Sequence, residues 1–281
     1  MKSRLLLLLL GLAFSAHVAA GETMTERELK RIVQRERAVL ATAKPAGDRI
    51  EDSGFQTQLI EVARDYDALL KRDPEFVPTY VAYGLFLSKG GEAKRATELF
   101  RKADQLDPNV AVVKNQLGNS FAEEGMFAEA LAQYEAAAKL EPKEPLYRYQ
   151  AGLLLYEYRE QFAKAGPMSR DLVLIRSNEA FAKAAELAPD NFAYAYRHAE
   201  SFADLLPPDW HASLAAWQAL EPRTKPGVEL QTVQLQEANA LIHLEHPAEA
   251  RKLLELVTEP ALQNNKKTLV AQLTQTPNKA P

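Results

Sequence analysis

Residues 80–87 read Tyr-Val-Ala-Tyr-Gly-Leu-Phe-Leu, large apolar side chains at helical spacing around a glycine that lets a second helix come close. Gly90-Gly91 breaks that helix. A second helix follows, with Ala96, Phe100 and Ala103 at i, i+4 and i+7. Asp107-Pro108-Asn109 ends it, because proline cannot continue a helix and disfavours helical geometry in the residue before it. The same pattern then returns as Leu117-Gly118, Phe121, Gly125, Ala130, Tyr134, Ala137 and Glu141-Pro142. Gly84, Gly118 and Gly152 are 34 residues apart, and so are Pro74, Pro108 and Pro142. A register shared by glycine, proline, alanine and aromatic positions is internal repetition rather than composition. It predicts stacked helical hairpins, with small residues where helices cross, aromatics in the grooves and a proline at each stop.

The pattern continues on both sides of this pair. Upstream, Tyr66, Leu69 and Asp73-Pro74 read as the second helix of a degenerate unit. Its first helix is the charged segment Thr25 to Lys44, with apolar Leu29, Ile32, Val33, Val39 and Leu40 and a capping box at Thr25 and Glu28. Downstream, Gly152 opens a third unit that Phe181, Ala184 and Pro189 close. Pro142 and Pro189 lie 47 apart, so this unit carries 13 extra residues. We read Tyr147 to Ala165 as one long helix, a turn at Gly166-Pro167, and a second long helix capped by Ser169 and running to Leu187. That hairpin is expected to protrude, tipped by Phe162, Met168, Leu172 and Val173, which either pack on one another or form a docking knob. A fourth unit runs from Phe192 through Ala199, Trp217 and Leu220 to Pro222. A fifth has Ala238, Leu241, Ala250 and Leu254.

At these residues the chain resembles the tetratricopeptide repeat (TPR) family, most closely over 77–144. The resemblance implies an all-α, right-handed superhelical solenoid of about five units plus end helices, the third enlarged by the 13-residue insertion. The expected organisation is a signal peptide at 1–20, an N-terminal helix and linker at 21–54, the solenoid at 55–260, a C-terminal capping helix at 261–275 and a disordered tail at 276–281. In TPR folds the first helices of successive units line a concave groove that binds partners. In this register the groove positions are Val81, Leu85 and Lys89, then Asn115, Asn119 and Glu123, and then Tyr149, Leu153, Tyr156 and Glu157. Tyr196, Glu200 and Asp204 follow, and last Leu235, Asn239 and His243. The best-known groove chemistry of the family, a Lys/Arg/Asn clamp on a peptide carboxylate, matches only at Asn119 and Asn115, so it is not carried over. What remains is a tyrosine- and leucine-lined middle with an acidic rim at Glu157, Glu200 and Asp204. The candidate partner-binding residues are therefore Asn115, Asn119, Tyr149, Leu153, Tyr156, Glu157, Tyr196 and Glu200. The alternative is that a flanking helix covers the patch.

Lys2 and Arg4 precede an apolar run from Leu5 to Phe14 and the small-residue end Val18-Ala19-Ala20, the form of an export signal rather than a membrane span. We read it as directing the chain out of the cytoplasm, the periplasm being the favoured compartment, with no transmembrane span after cleavage. The chain has no cysteine, which excludes disulfides, thiolate nucleophiles and Cys-ligated metals. Without the leader, 32 basic residues face 38 acidic ones, a mild negative charge that argues against nucleic acid and against an anionic membrane surface. There is no Gly-rich phosphate loop, His198 falls on the buried side of its helix, and His243 with His246 lacks further ligands at metal-site spacing. The sequence thus reads as a non-catalytic adaptor with no cofactor and no metal, binding a protein or peptide segment. A polysaccharide or cell-wall ligand is the alternative.

Overall fold

The structure, a computed structural model, describes residues 22–42, 53–166 and 168–275. The leader at 1–20, most of the expected linker, Pro167 and the tail from 276 lie outside the described residues. Among the described residues there are fourteen α-helices, two short 3₁₀ turns and no strand. The chain divides into two compact units, the first ending at Phe86 and the second beginning at Leu87.

In the first unit, α1 (Met24–Ala41) and α2 (Ser53–Arg72) pair antiparallel. The capping box sits two residues earlier than the sequence suggested. Thr23 Oγ1 accepts from the Glu26 amide at 3.1 Å, and Glu26 accepts from the Thr23 amide at 2.7 Å. Thr25 instead donates across the hairpin to Asp73 at 3.0 Å. Arg35 of α1 ties Asp65 and Glu61 of α2. The buried stripe of α1 is Leu29, Ile32, Glu36 and Val39, so an acid stands at a core position. Tyr66 of α2 explains it, donating its hydroxyl to Glu36 at 2.7 Å. The Tyr66 ring stacks on Tyr83, centroids 5.0 Å apart, and also meets Phe86. Both belong to α3 (Val77–Lys89).

The second unit is a run of hairpins. After α4 (Ala93–Leu106) come α5 (Ala111–Glu123) with α6 (Phe127–Leu140), and α7 (Pro145–Glu157) with α9 (Arg170–Leu187). Then α10 (Phe192–Asp204) pairs with α11 (Trp210–Leu220), and α12 (Val228–His243) with α13 (Pro247–Leu256). Each hairpin packs on its sequence neighbour, α6 on α7, α9 on α10 and α11 on α12. The repeat glycines do what their spacing implied. A Cβ on Gly118 would lie 2.6 Å from Cε1 of Tyr134, and one on Gly152 would lie 2.8 Å from Cε1 of Phe181. Each aromatic ring therefore sits directly on the bare backbone of the partner helix. Gly91 and Gly125 end first helices at φ +82° and +78°, in the left-handed region. The matching place between α12 and α13 is Glu245 at φ +61°. The last helix, α14 (Gln263–Gln275), buries Leu269 and Leu273 against Leu235, Leu241 and Leu254 and closes the core.

The insertion folds differently from the sequence expectation. The long helix breaks at Tyr158 (φ −108°, ψ 27°), and a separate short helix α8 (Arg159–Ala165) follows. Instead of protruding, α8 lies on α6, α7 and α9. Phe162 is buried with Leu131, Tyr134, Leu155 and Val173, Met168 packs against the same cluster, and Tyr158 stacks on Phe127 at 3.8 Å between centroids. The break lets this apolar set reach a core that a continuous helix would carry it away from. Of the expected tip, Leu172 is exposed. Ser169 does cap α9, accepting from the Leu172 amide.

Two predictions follow from these cores. Gly118→Ala is expected to lower stability by about 1–3 kcal/mol, because pushing the Tyr134 ring aside outweighs the roughly 1 kcal/mol that alanine gains in a helix. Urea melts of Gly118→Ala, Tyr134→Leu and the double variant check it, the expected outcome being less than the sum of the single losses. The second concerns Glu237 of α12, which is 3% exposed and whose Oε1 has no hydrogen-bond partner. Burial, and then the charge of Glu221, push its carboxyl up to about 7. The folded chain therefore keeps a proton that the unfolded chain releases near pH 4. The stabilisation from this site is full below about pH 4 and is lost as pH rises to about 7, by as much as ~3 kcal/mol. Glu237→Gln is expected to flatten that decline in melts run between pH 4.5 and 8.

Candidate functional site

The first helices of the enlarged unit and its successor, α7 and α10, bring most of the predicted residues together around one that the sequence reading missed, Arg197. Its guanidinium lies between two rings, 4.0 Å from the centroid of Tyr156 and 4.7 Å from that of Phe181. It donates to Glu200 Oε2 and to Asp204 Oδ2, all at 3.0 Å. Arg197 stands three and seven residues before these acids, which puts all three on one face of α10. That spacing was the available signal. The Arg197 side chain is 9% exposed. The acidic rim expected at Glu200 and Asp204 is consequently an internal ion pair network. Burial pushes the Glu200 carboxyl up, with Arg197 pulling it back.

The three groove tyrosines are half-buried and each is braced from behind. Tyr149 meets Phe181 at 5.7 Å and Tyr194 at 4.7 Å, Tyr156 lies under Arg197, and Tyr196 meets the edge of Trp217 at 5.0 Å. Burial raises all three phenols above their ordinary value, so they are neutral hydrogen-bond donors at physiological pH. The bracing comes from α9, α10 and α11. α8 packs elsewhere, through Phe162.

The remaining predicted positions are spread over α3, α5, α7 and α12. Asn115 is buried at 3% exposure and offers no amide to a partner, and Leu235 is likewise core. Asn119 is partly exposed, and its Oδ1 accepts from the Tyr134 hydroxyl at 2.7 Å. Leu153 and exposed Glu157 border a concavity of ≈190 Å³ between α5 and α7. In the first unit, Val81 is buried.

Three of the described histidines, His198, His243 and His246, are engaged in packing or single contacts. His198 meets Phe202, His243 stacks flat on Trp210 at 3.8 Å, and His246 contacts Glu249. Among the described residues no three acids or histidines gather as a metal site, and no helix is long and apolar enough to cross a membrane.

Arg197→Met keeps an apolar stem between the rings but leaves Glu200 and Asp204 facing each other without a cation. A loss of about 2–3 kcal/mol is expected at pH 7, shrinking as pH falls and the Glu200 carboxyl, pushed up by burial, takes up a proton. Arg197→Lys is expected to recover only part, since an ammonium cannot stack flat between the two rings. Thermal melts of both variants at pH 7 and below test this.

Comparison with known proteins places this geometry among repeat proteins. Residues 77–110 match the tetratricopeptide repeat family. The probable UDP-N-acetylglucosamine–peptide N-acetylglucosaminyltransferase SPINDLY of Solanum lycopersicum is 25% identical over 87 residues, 31% of this chain, and the match spans 9% of that relative's length. Three solved structures share the fold. YrrB, described as a TPR protein with an unusual peptide-binding site, covers 74% of this chain and 97% of its own, with 18% identity and a TM-score of 0.59. Pseudomonas aeruginosa PilF covers 89% and 100%, with 14% identity and a TM-score of 0.60. PilW, described as a widely conserved type IV pilus biogenesis factor, covers 88% and 98%, with 12% identity and a TM-score of 0.54. Stacked hairpins, glycine crossings and this similarity agree on an all-α, TPR-like solenoid.

Proposed function

We propose that this chain is a non-catalytic scaffold that holds a segment of another protein on the first-helix face of α7 and α10, in an exported, periplasmic or envelope assembly. The observation that carries the reading is the braced tyrosine row Tyr149, Tyr156 and Tyr196. Rings fixed from behind offer a large apolar area and a hydroxyl tip with little side-chain entropy left to lose, which favours binding of an extended segment. The peptide-binding site attributed to YrrB and the pilus role attributed to PilW are in keeping with it. The leader-like pattern at 1–20 supports the exported setting.

The test is a crosslinking pull-down of the chain from its native cells, fractionated into periplasm, envelope and cytoplasm. One or two stoichiometric protein partners are expected in an envelope or periplasmic fraction, and Tyr156→Ala is expected to lose them at least tenfold while melting within a few degrees of the parent. Recovery of glycan without protein, or partner binding indifferent to Tyr156→Ala, Tyr149→Ala and Tyr196→Ala, overturns the reading.

A further inference from the structure

Between α5 and α7 lies a concavity of ≈190 Å³ whose wall and floor come from three helices. Tyr134 of α6 and Leu153 of α7 give it an apolar floor, Gln150 and Tyr158 line its sides, and Glu123 and Glu157 are at its mouth. Both glutamates are exposed, and among the described residues neither forms an ion pair. This sets them apart from Glu200 and Asp204, which share Arg197 in the neighbouring hairpin. Glu123 and Glu157 are 34 residues apart, the same position in successive units. Stacking the repeats therefore brings like charges to corresponding places in adjacent units, an arrangement unfavourable for the empty protein. Both also act on one point, since the Tyr134 phenol is pushed up by burial first and then by Glu123 and Glu157. Its hydroxyl is already committed to Asn119, so the floor presents ring rather than donor.

We infer that this concavity is a subsite for a lysine or arginine side chain of the bound segment, its aliphatic stem over Leu153 and the Tyr134 ring and its cation between Glu123 and Glu157. The inference rests on the peptide-binding reading above and deepens it. The volume corresponds to about six waters, enough for the five heavy atoms of a lysine side chain. A long cationic side chain satisfies both requirements at once, burying its stem on apolar surface while its head meets the carboxylates. A neutral apolar side chain would leave the two carboxylates repelling each other, and an acidic one would add a third negative charge.

The experiment uses the whole chain on an immobilised octapeptide array, with one position fixed as Lys, Arg, norleucine or Glu and the rest randomised, at about 50 mM salt. Norleucine supplies a comparable stem without the charge. Lys and Arg positions are expected to bind about tenfold more than norleucine, with Glu lowest and the preference fading at 0.5 M salt. In the Glu123→Gln/Glu157→Gln variant the ratio of lysine to norleucine binding is expected to fall to about one. Both substitutions are exposed and remove no ion pair among the described residues, and an unchanged melt verifies the fold. Equal binding of lysine and norleucine by the parent, or a preference that survives the double substitution, overturns the subsite and leaves the scaffold reading standing. Binding to no peptide at all overturns both.

Discussion

The second unit depends on the approach of an aromatic ring to bare backbone inside its hairpins. At Gly118 and Gly152 there is no room for a methyl group, since Tyr134 and Phe181 occupy that space at 2.6 and 2.8 Å. These contacts set the separation of the two helices of a hairpin, and hence where the next first helix comes to rest. In the enlarged unit the consequences reach the surface. Phe181, seated on Gly152, meets the Tyr149 ring with one part of its surface and the Arg197 guanidinium with another. The core and the tyrosine row thus share one side chain, and a change at Gly152 is transmitted to both.

How much of this was legible in the sequence follows from what a repeat records. Positions forced by backbone geometry recur at a fixed interval and were readable: the crossing glycines, Ala130 and Ala137, and the Ser169 cap. Phe181 was readable even across the insertion. It stands 47 residues after Tyr134, one repeat plus the 13 added, because the insertion was absorbed between helices and left their pairing intact. Glu245 was not readable as a turn position, since a non-glycine there hides a left-handed residue that the hydrogen bonds from Glu245 to Ile242 and from His246 to Leu241 reveal.

The candidate site was legible in position but not in state. A register says which residues face the same way and nothing about what already occupies them. Asn115 falls on the predicted face yet is buried. Glu200 and Asp204 looked like an acidic rim until Arg197, on the same helix, was found to hold both. The α8 break was hidden for a similar reason. Residues 153–165 carry no proline or glycine to stop a helix, and the stop comes from tertiary packing, as Tyr158 turns to stack on Phe127 and Phe162 enters the core.

The acids already engaged inside the fold show how the solenoid separates structural charge from available charge. Glu36 is held by the Tyr66 hydroxyl, Glu200 and Asp204 by Arg197, and Glu237 sits in a core that favours its protonated form. Each is engaged within its own hairpin or helix, by a hydrogen bond, a cation or a proton. Glu123 and Glu157 are outside this rule although they occupy the same repeat register, at the mouth of a concavity with an apolar floor. Repetition that places like charges in adjacent units costs a folded protein stability unless a counter-charge arrives from elsewhere. Among acids on the first-helix face, these two are the ones whose electrostatics a cationic partner completes, whereas Glu200 and Asp204 would have to give up Arg197 to bind anything else.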